Sequence, residues 1–258
     1  HQGRPGGRNE EFEADRQYLA RTTFILRQNN DAFLDQDWTP LIETTADNVF
    51  VNRWTAGDKR IFTVLNMRPE GFAGKLFRVA ARNGKHYISL WNHENVIPDI
   101  INDEAWLPVK ADGWFSAYSG TRNEGSVDCI AEFPEILKSE LNGDSVRISV
   151  PGKGRVIVWK GNPSYSAAKK ELDIKGDTTF RVQDLFGFYE GKIVIQLAEG
   201  KILKDENILT LRGGRPWLVS KTTGTPKAVS IPADMVLVPG ASFSCNVSAV
   251  EYEEFIKY

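Results

Sequence analysis

The stretch Lys75-Leu76-Phe77-Arg78-Val79-Ala80-Ala81-Arg82-Asn83-Gly84-Lys85-His86-Tyr87-Ile88-Ser89-Leu90-Trp91 decides the fold class. Apolar and polar side chains alternate on both sides of Asn83-Gly84, and alternation marks a strand with one buried face. Asn-Gly suits the left-handed positions of a tight turn, so 75–81 and 85–91 read as the strands of a β-hairpin. The signature recurs outward. Residues 48–54 and 60–66 flank Ala56-Gly57-Asp58, and Asn142-Gly143 precedes 145–150, where Val146, Ile148 and Val150 alternate with Arg147 and Ser149. Pro151-Gly152-Lys153-Gly154 reads as a turn into a strand over 155–159. Further strands are expected at 172–174, 178–182, 192–198, 208–211, 217–220, 235–238 and 242–247. Short strands with polar turns predict a mainly β chain: two antiparallel β-sandwich, immunoglobulin-like domains preceded by one N-terminal α-helix.

That helix is expected over 9–34. Asn9 is its N-cap, and Glu10, Glu11 and Glu13 sit at the positive end of its dipole. Phe12, Leu19, Leu26 and Phe33 recur every seven residues, with Tyr18, Thr22 and Ile25 on the same side. A stripe of this kind must be buried, either on the following sheets or on a partner outside the chain. Lys160-Gly161-Asn162-Pro163-Ser164 reads as a linker. The expected domains are therefore 1–36, a loop and amphipathic helix; 37–162, the first β-sandwich; and 163–258, a second, immunoglobulin-like sandwich that ends in Met235-Val236-Leu237-Val238-Pro239-Gly240.

The 258 residues carry a net charge of −2, with 41% hydrophobic and 26% charged residues. This near-balance argues against a nucleic-acid partner. No apolar run approaches the ~20 residues of a membrane helix, so no membrane span is expected. Cys129 and Cys245 are too few for a disulfide framework or a zinc site. A bridge between them would join the two halves of the chain, and the alternative is two buried thiols. The opening His1-Gln2-Gly3-Arg4-Pro5-Gly6-Gly7-Arg8 lacks an apolar signal region and reads as a loop or a cut end.

Phosphate-loop, nucleophile-elbow, paired-cysteine and dinucleotide motifs are absent from the sequence, so no catalytic residue, metal ligand or cofactor is nominated. His93-Glu94 beside Trp91-Asn92 is the one His/carboxylate cluster of interest. It lacks further ligands nearby and reads as a polar loop. Glycoside hydrolysis needs two acids facing one bond. Glu43, Asp47, Asp99, Asp103 and Glu104 lie in loop-like stretches without a catalytic context. Trp91, Trp106 and Trp114 fall at or near expected loops and are the candidate glycan-binding residues, since sugar faces stack on exposed indoles. Trp54 and Trp159 read as core. Asn246-Val247-Ser248 matches a glycosylation sequon.

Two segments resemble known families. The first runs from Asp37-Trp38-Thr39-Pro40-Leu41-Ile42 through Val49-Phe50-Val51-Asn52-Arg53-Trp54 to Ile61-Phe62-Thr63-Val64-Leu65-Asn66. It resembles the junction in glycosidase-type (β/α)-barrel proteins where the last barrel helix meets a C-terminal β-sandwich. The second, Ile231-Pro232-Ala233-Asp234-Met235-Val236-Leu237-Val238-Pro239-Gly240-Ala241-Ser242-Phe243, resembles the opening of the formylglycine-generating, sulfatase-modifying-factor family. Ala241 replaces that family's second Gly, and Cys245-Asn246 stands where many members have Met-Gly. The resemblance implies a fragment of a large bacterial multidomain protein in a secreted or periplasmic setting, with adjacent domains of the longer chain as partners. The expected role is a non-catalytic accessory region that orients its neighbours. The alternatives are a carbohydrate-binding module, with carbohydrate as a further partner, or a glycoside hydrolase with a β-sandwich carboxylate site.

Overall fold

A computed structural model describes residues 7–113, 125–212, 230–231 and 233–240, with the side chains of residues 7–12 and 14 outside that description. The chain divides into two units, His1–Arg215 and Pro216–Tyr258. The described residues are mainly β, in antiparallel sheets, with three helices rather than one.

In the first unit, α1 (Gly7–Gln28) breaks at Asn29 and continues as the single turn α2 (Asn30–Phe33). The strands β1 (Val49–Ala56) and β2 (Lys59–Asn66) form the expected hairpin, with Gly57 at φ +57° in its turn. They join β8 (Val127–Pro134), β4 (Lys85–Ser89) and β5 (Glu94–Val96) in one sheet, ordered β1-β2-β8-β4-β5. A second sheet holds β3 (Phe72–Ala80), β7 (Glu104–Ala111) and the short β6 (Asp99–Ile101), ordered β3-β7-β6. The two sheets face each other over one core. Val51, Phe62, Val64 and Ile130 from the first meet Leu76, Phe77, Leu107 and Val109 from the second.

The Asn83-Gly84 stretch therefore belongs to two sheets. β3 pairs with β7, and β4 pairs with β8 and β5. Gly84 does take the expected positive φ, +68°. The turn it makes is a corner that carries the chain across the sandwich, so the expected hairpin is corrected to an arch between layers. Alternation fixes which face is buried and does not fix the partner strand.

The remaining strands build a third sheet: β9 (Lys138–Asn142), β10 (Ser145–Lys160), β11 (Lys169–Arg181), β12 (Gly191–Glu199) and β13 (Ile202–Leu211). Pro151-Gly152-Lys153-Gly154 is not a turn between strands. β10 runs straight through it with a bulge, pairing Ser149 with Asp177 and then Lys153 with Lys175. β10 thus advances two residues more than β11, and an even insertion keeps every side chain on its original face. Val146, Ile148, Val150, Val156 and Val158 accordingly all enter one core. The expected strands 172–174 and 178–182 are likewise one strand, β11, running to Arg181; Val182 opens the short helix α3 (Val182–Phe186), which packs on this core.

The Lys160-Gly161-Asn162-Pro163-Ser164 joint connects β10 to β11 inside this sheet. Strands from both sides of residue 162 make one bent sheet with one core, which begins at β9, and most of the expected immunoglobulin-like sandwich beyond residue 212 lies outside the described residues. In the second unit, residues 235–240 form neither helix nor strand, which corrects the strand expected at 235–238. The strands expected at 217–220 and 242–247, Cys245 and the sequon lie outside the described residues.

The helix is covered within its own unit. Ile25, Ala32, Tyr18 and Phe33 pack on the outer face of the first sheet, against Ile61, Ile88 and Phe133. Phe24 turns to the third sheet, against Ile157, Trp159 and Val194. The heptad row is split: Phe33 packs on the first sheet, whereas Leu19 and Leu26 are 64% and 42% exposed and the Phe12 side chain lies outside the described residues. The inward row carries polar residues, among them Gln28 and the fully buried Asn29, which a count of apolar spacing passes over.

Lys59 fastens these layers. Its buried Nζ donates to Asp31 Oδ1 at 2.6 Å, to the Leu203 carbonyl at 3.0 Å and to Asn29 Oδ1 at 3.3 Å. All three ammonium hydrogens are used, one set of acceptors lying at the helix break and the other on β13. Burial pulls the lysine's pKa down, against the opposing pull of Asp31. Lys59→Met should cost about 2–3 kcal/mol in urea unfolding, the range for hydrogen bonds to a charged group. A loss of about 0.5 kcal/mol or less, ordinary for a surface position, would contradict this role.

Candidate functional site

A cleft of about 760 Å³ lies between α1, the β4–β5 connection and the β10–β11 connection. Arg16, Arg21 and Phe24 contribute from the helix, Trp91 and His93 from the first connection, and Tyr165 from the second. The linker-like sequence Lys160 to Ser164 thus ends as part of a cleft wall.

The loop carrying Trp91 and His93 is held from several sides. Ser89 Oγ accepts from the Asn92 backbone N–H at 3.1 Å. Lys192 of β12 donates to the Asn92 carbonyl at 2.9 Å, and Arg21 of α1 donates to Asn92 Oδ1 at 3.4 Å. The Arg21 guanidinium lies 4.3 Å from the centre of the Trp91 indole, and the Tyr18 ring meets the same indole edge-on at 5.3 Å. His93 sits at φ +50°, a left-handed backbone that a non-glycine residue adopts only where its surroundings enforce it.

His93 is 3% exposed, and its Nδ1 lies 2.7 Å from Glu206 Oε1 on β13. Behind it runs a buried chain whose directions follow from the end group. The Trp159 indole N–H can only donate, and it reaches Gln196 Oε1 at 2.9 Å. The Gln196 amide nitrogen is thereby turned to Glu206 Oε2 at 2.7 Å. Gln28 of α1 closes the network by donating to Gln196 Oε1 at 2.9 Å. Glu206 thus holds the His93 ring through Nδ1 with one oxygen and accepts from the Gln196 amide with the other.

The neighbouring Asp205 serves a second histidine. Asp205 Oδ1 lies 2.6 Å from His86 Nε2, and Oδ2 accepts from the backbone N–H groups of Ile136 and Leu137 at 2.9 and 2.7 Å. Asp205 and Glu206 are fully buried. Glu132, also fully buried, accepts from Arg82 Nε at 2.8 Å and pairs with Arg60 at 3.5 Å. Asp128 accepts from Ser89 Oγ and the Cys129 backbone N–H, both at 2.7 Å.

The expected glycan residues do not converge. Trp91 is 5% exposed, in the core between the first sheet and the helix. Trp106 alternates with buried Ala105 and Leu107 on β7 and so points away from the sandwich on its other side, beneath Arg78 at 5.8 Å. Trp114 lies outside the described residues. Trp159 is buried as expected, whereas Trp54 is half-buried and stacks on the exposed Trp38 at 5.3 Å and 7°. Of the loop acids, Asp99 pairs with Lys75 at 3.0 Å, and Glu43 and Glu104 flank Arg78 at 3.6 and 3.2 Å, all at the surface. At the cleft itself, hydrogen bonds from Arg16 and then Gln17 hold Glu13 below the ordinary glutamate range. That favours the ionised form, which is the wrong state for a general acid.

Among the described residues no group of three or more His, Cys, Asp and Glu is placed to hold a metal ion, and no helix is long and apolar enough to cross a membrane. Cys129 is a free, buried thiol, and burial pushes its pKa up, away from reactivity. Set against known proteins, the chain matches no protein-family model and no curated protein.

Burial raises the pKa of Asp128, against the bonds from Ser89 and Cys129. A carboxyl raised in the folded state binds extra proton between its unfolded and folded pKa. Its contribution to stability is present below the ordinary aspartate value and is lost as pH rises through the folded one. Asp128→Asn keeps an acceptor oxygen and carries no charge, so it should gain stability relative to the wild type between about pH 4 and pH 7. Urea unfolding at both pH values measures this. An advantage that shrinks toward pH 7 would contradict the assignment.

Proposed function

We propose that this chain is a non-catalytic accessory region of a larger, secreted glycoside-hydrolase-like protein, where it holds neighbouring domains in a fixed orientation. The observation behind the proposal is the use made of the buried carboxylates. Asp205 joins β13 to β4 and to the backbone leading into β9, and Glu206 joins β13 to the loop after β4. Glu132 joins β8 to Arg60 of β2 and to Arg82. These acids bind elements together instead of facing a substrate, and a body so cross-tied suits a spacer that must not flex. The secreted setting and the adjacent domains come from the resemblances at 37–66 and 231–243.

The purified chain should show no turnover of aryl glycosides above the uncatalysed rate. It should also unfold in urea with one transition reported alike by tryptophan fluorescence and far-UV circular dichroism. Hydrolysis with ordinary enzymatic turnover would end the accessory reading, and two separated transitions would remove its argument from rigidity.

Carbohydrate binding is the second reading. It is favoured by the cleft beside His93, whose rim combines the exposed ring of Tyr165 with amide and hydroxyl groups. Affinity electrophoresis against a polysaccharide panel tests it: retardation by at least one glycan is expected, and none at all would count against it.

A further inference from the structure

We propose that Trp38 is the stacking platform of a binding site for a neutral, β-linked glucan, built where the first sheet ends beyond β1. The proposal rests on the carbohydrate-binding reading and places the sugar contact at this sheet edge instead of at the cleft. β1 sends Val49 and Val51 into the sandwich core, so by alternation Trp54 lies on the outer face, the one that α2 covers. Three rings gather there. Phe33 of α2 meets Trp54 at 5.2 Å with the ring planes tilted by 60°, and Trp38 lies parallel to Trp54 at 5.3 Å and 7°. β1 is the edge strand of its sheet, and the segment that carries Trp38 runs along the free side of β1. Thr39 and Arg53 exchange backbone hydrogen bonds of 2.8 and 2.9 Å, and the Ile42 N–H donates to the Val51 carbonyl at 2.9 Å. One face of the Trp38 indole is therefore taken by Trp54, no further strand of the sheet follows beyond it, and the residue stays 42% exposed.

The segment is braced on both sides of the ring. Before it, Asp35 Oδ1 accepts from the Asp37 N–H at 3.0 Å and Asp35 Oδ2 from the Thr55 N–H at 3.1 Å. After it, the Arg53 guanidinium donates to Thr39 Oγ1 at 2.8 Å, and Asn52 Oδ1 accepts from the Leu41 N–H at 2.9 Å. Burial does not account for an indole held so firmly, because two fifths of the residue remains in water. A ring fixed in place before its ligand arrives loses little freedom on binding, which is what a platform requires. The ligand class follows from the surface offered. An indole presents a flat apolar face, and a β-glucopyranose ring, with all its substituents equatorial, presents axial C–H groups to such a face. Gln36 and Asp37, both exposed and next to Trp38 in the chain, supply an amide and a carboxylate that bond sugar hydroxyls. Arg53, the one cation of β1, lies on the opposite face by alternation and is bonded to Thr39, so the site makes no demand for an acidic ligand.

The test is a titration of the intact chain with cellotetraose, followed through the indole N–H signals by nitrogen-15 NMR, the Trp38 signal being identified by its loss in Trp38→Phe. Cellotetraose should shift the Trp38 signal saturably and the Trp54 signal with it, while that of the buried Trp159 stays in place. Trp38→Ala should weaken binding about tenfold, read from the Trp54 signal, the upper end of what one aromatic stacking contact contributes. Trp38→Phe keeps a ring face and should stay within about threefold of the wild type. Tyr165→Ala, at the cleft, should change nothing. Should Trp38→Ala fail to fold, the wild-type titration still decides, because it shows which indole the sugar moves. A saturable response that spares Trp38 and is removed by Tyr165→Ala puts the sugar in the cleft; it overturns the platform and leaves carbohydrate binding standing. Equal affinity of the wild type and Trp38→Ala overturns the platform as well. No saturable response of any indole up to about 10 mM overturns it too, and retardation by another polysaccharide in affinity electrophoresis then tells whether carbohydrate binding survives.

Discussion

Asp205 and Glu206 are neighbours on one strand, so their side chains leave β13 on opposite faces, yet neither reaches solvent. A buried carboxylate without partners costs several kcal/mol. β13 must therefore be covered by hydrogen-bond donors on both sides at once, and the architecture of the first unit meets that demand. On one side stand His86 and the backbone N–H groups of Ile136 and Leu137. On the other stand His93 and Gln196, with α1 behind them. Lys59 adds the converse arrangement at Leu203, a buried cation surrounded by acceptors from the helix break and from β13. One strand thus fixes the helix, the sandwich and the bent sheet to each other.

The class of the fold was legible in the alternation of short segments, because period-two burial is a local property of each strand. Gly57, at φ +57°, marks a turn where expected, whereas the hairpin at Gly143, φ +64°, pairs β10 with a strand, β9, that the alternation does not signal. Partner choice is not local, and alternation leaves it open. Asn83-Gly84 makes the right kind of backbone for a hairpin and is used for an arch. Pro151-Gly152 carries turn residues, but the long partner β11 keeps β10 extended through it. The strand expected at 208–211 is the end of β13, which begins at Ile202, and the polar run Lys204-Asp205-Glu206-Asn207 between the two apolar pairs interrupts the alternation. That short run holds the two acids on which the packing turns. Acids flanked by Ile202-Leu203 and Ile208-Leu209 on a strand of ordinary length were the available signal.

The candidate site was half legible for a similar reason. His93 and Trp91 stood out as a cluster, and the cleft does form around them. Glu206 lies 113 positions away and was invisible beside them. Trp91 reads as a loop tryptophan, but Arg21 and Tyr18 from the helix cover it, and the exposed aromatic ring at the cleft is Tyr165. The bonds that tie β13 to the helix and the sheets also hold the His93 ring in place.

β13 binds sandwich, helix and bent sheet into one cooperative body. Native-state hydrogen exchange on the intact chain measures it most directly, by comparing core amides of the β1-β2-β8-β4-β5 sheet with those of the β11-β10-β12-β13 sheet. Both sets should open with the same free energy and the same urea dependence, and Asp205→Ala should split them. If the two sheets of the wild-type chain already exchange through openings that differ by more than about 1 kcal/mol, they are separate folding units and the account fails.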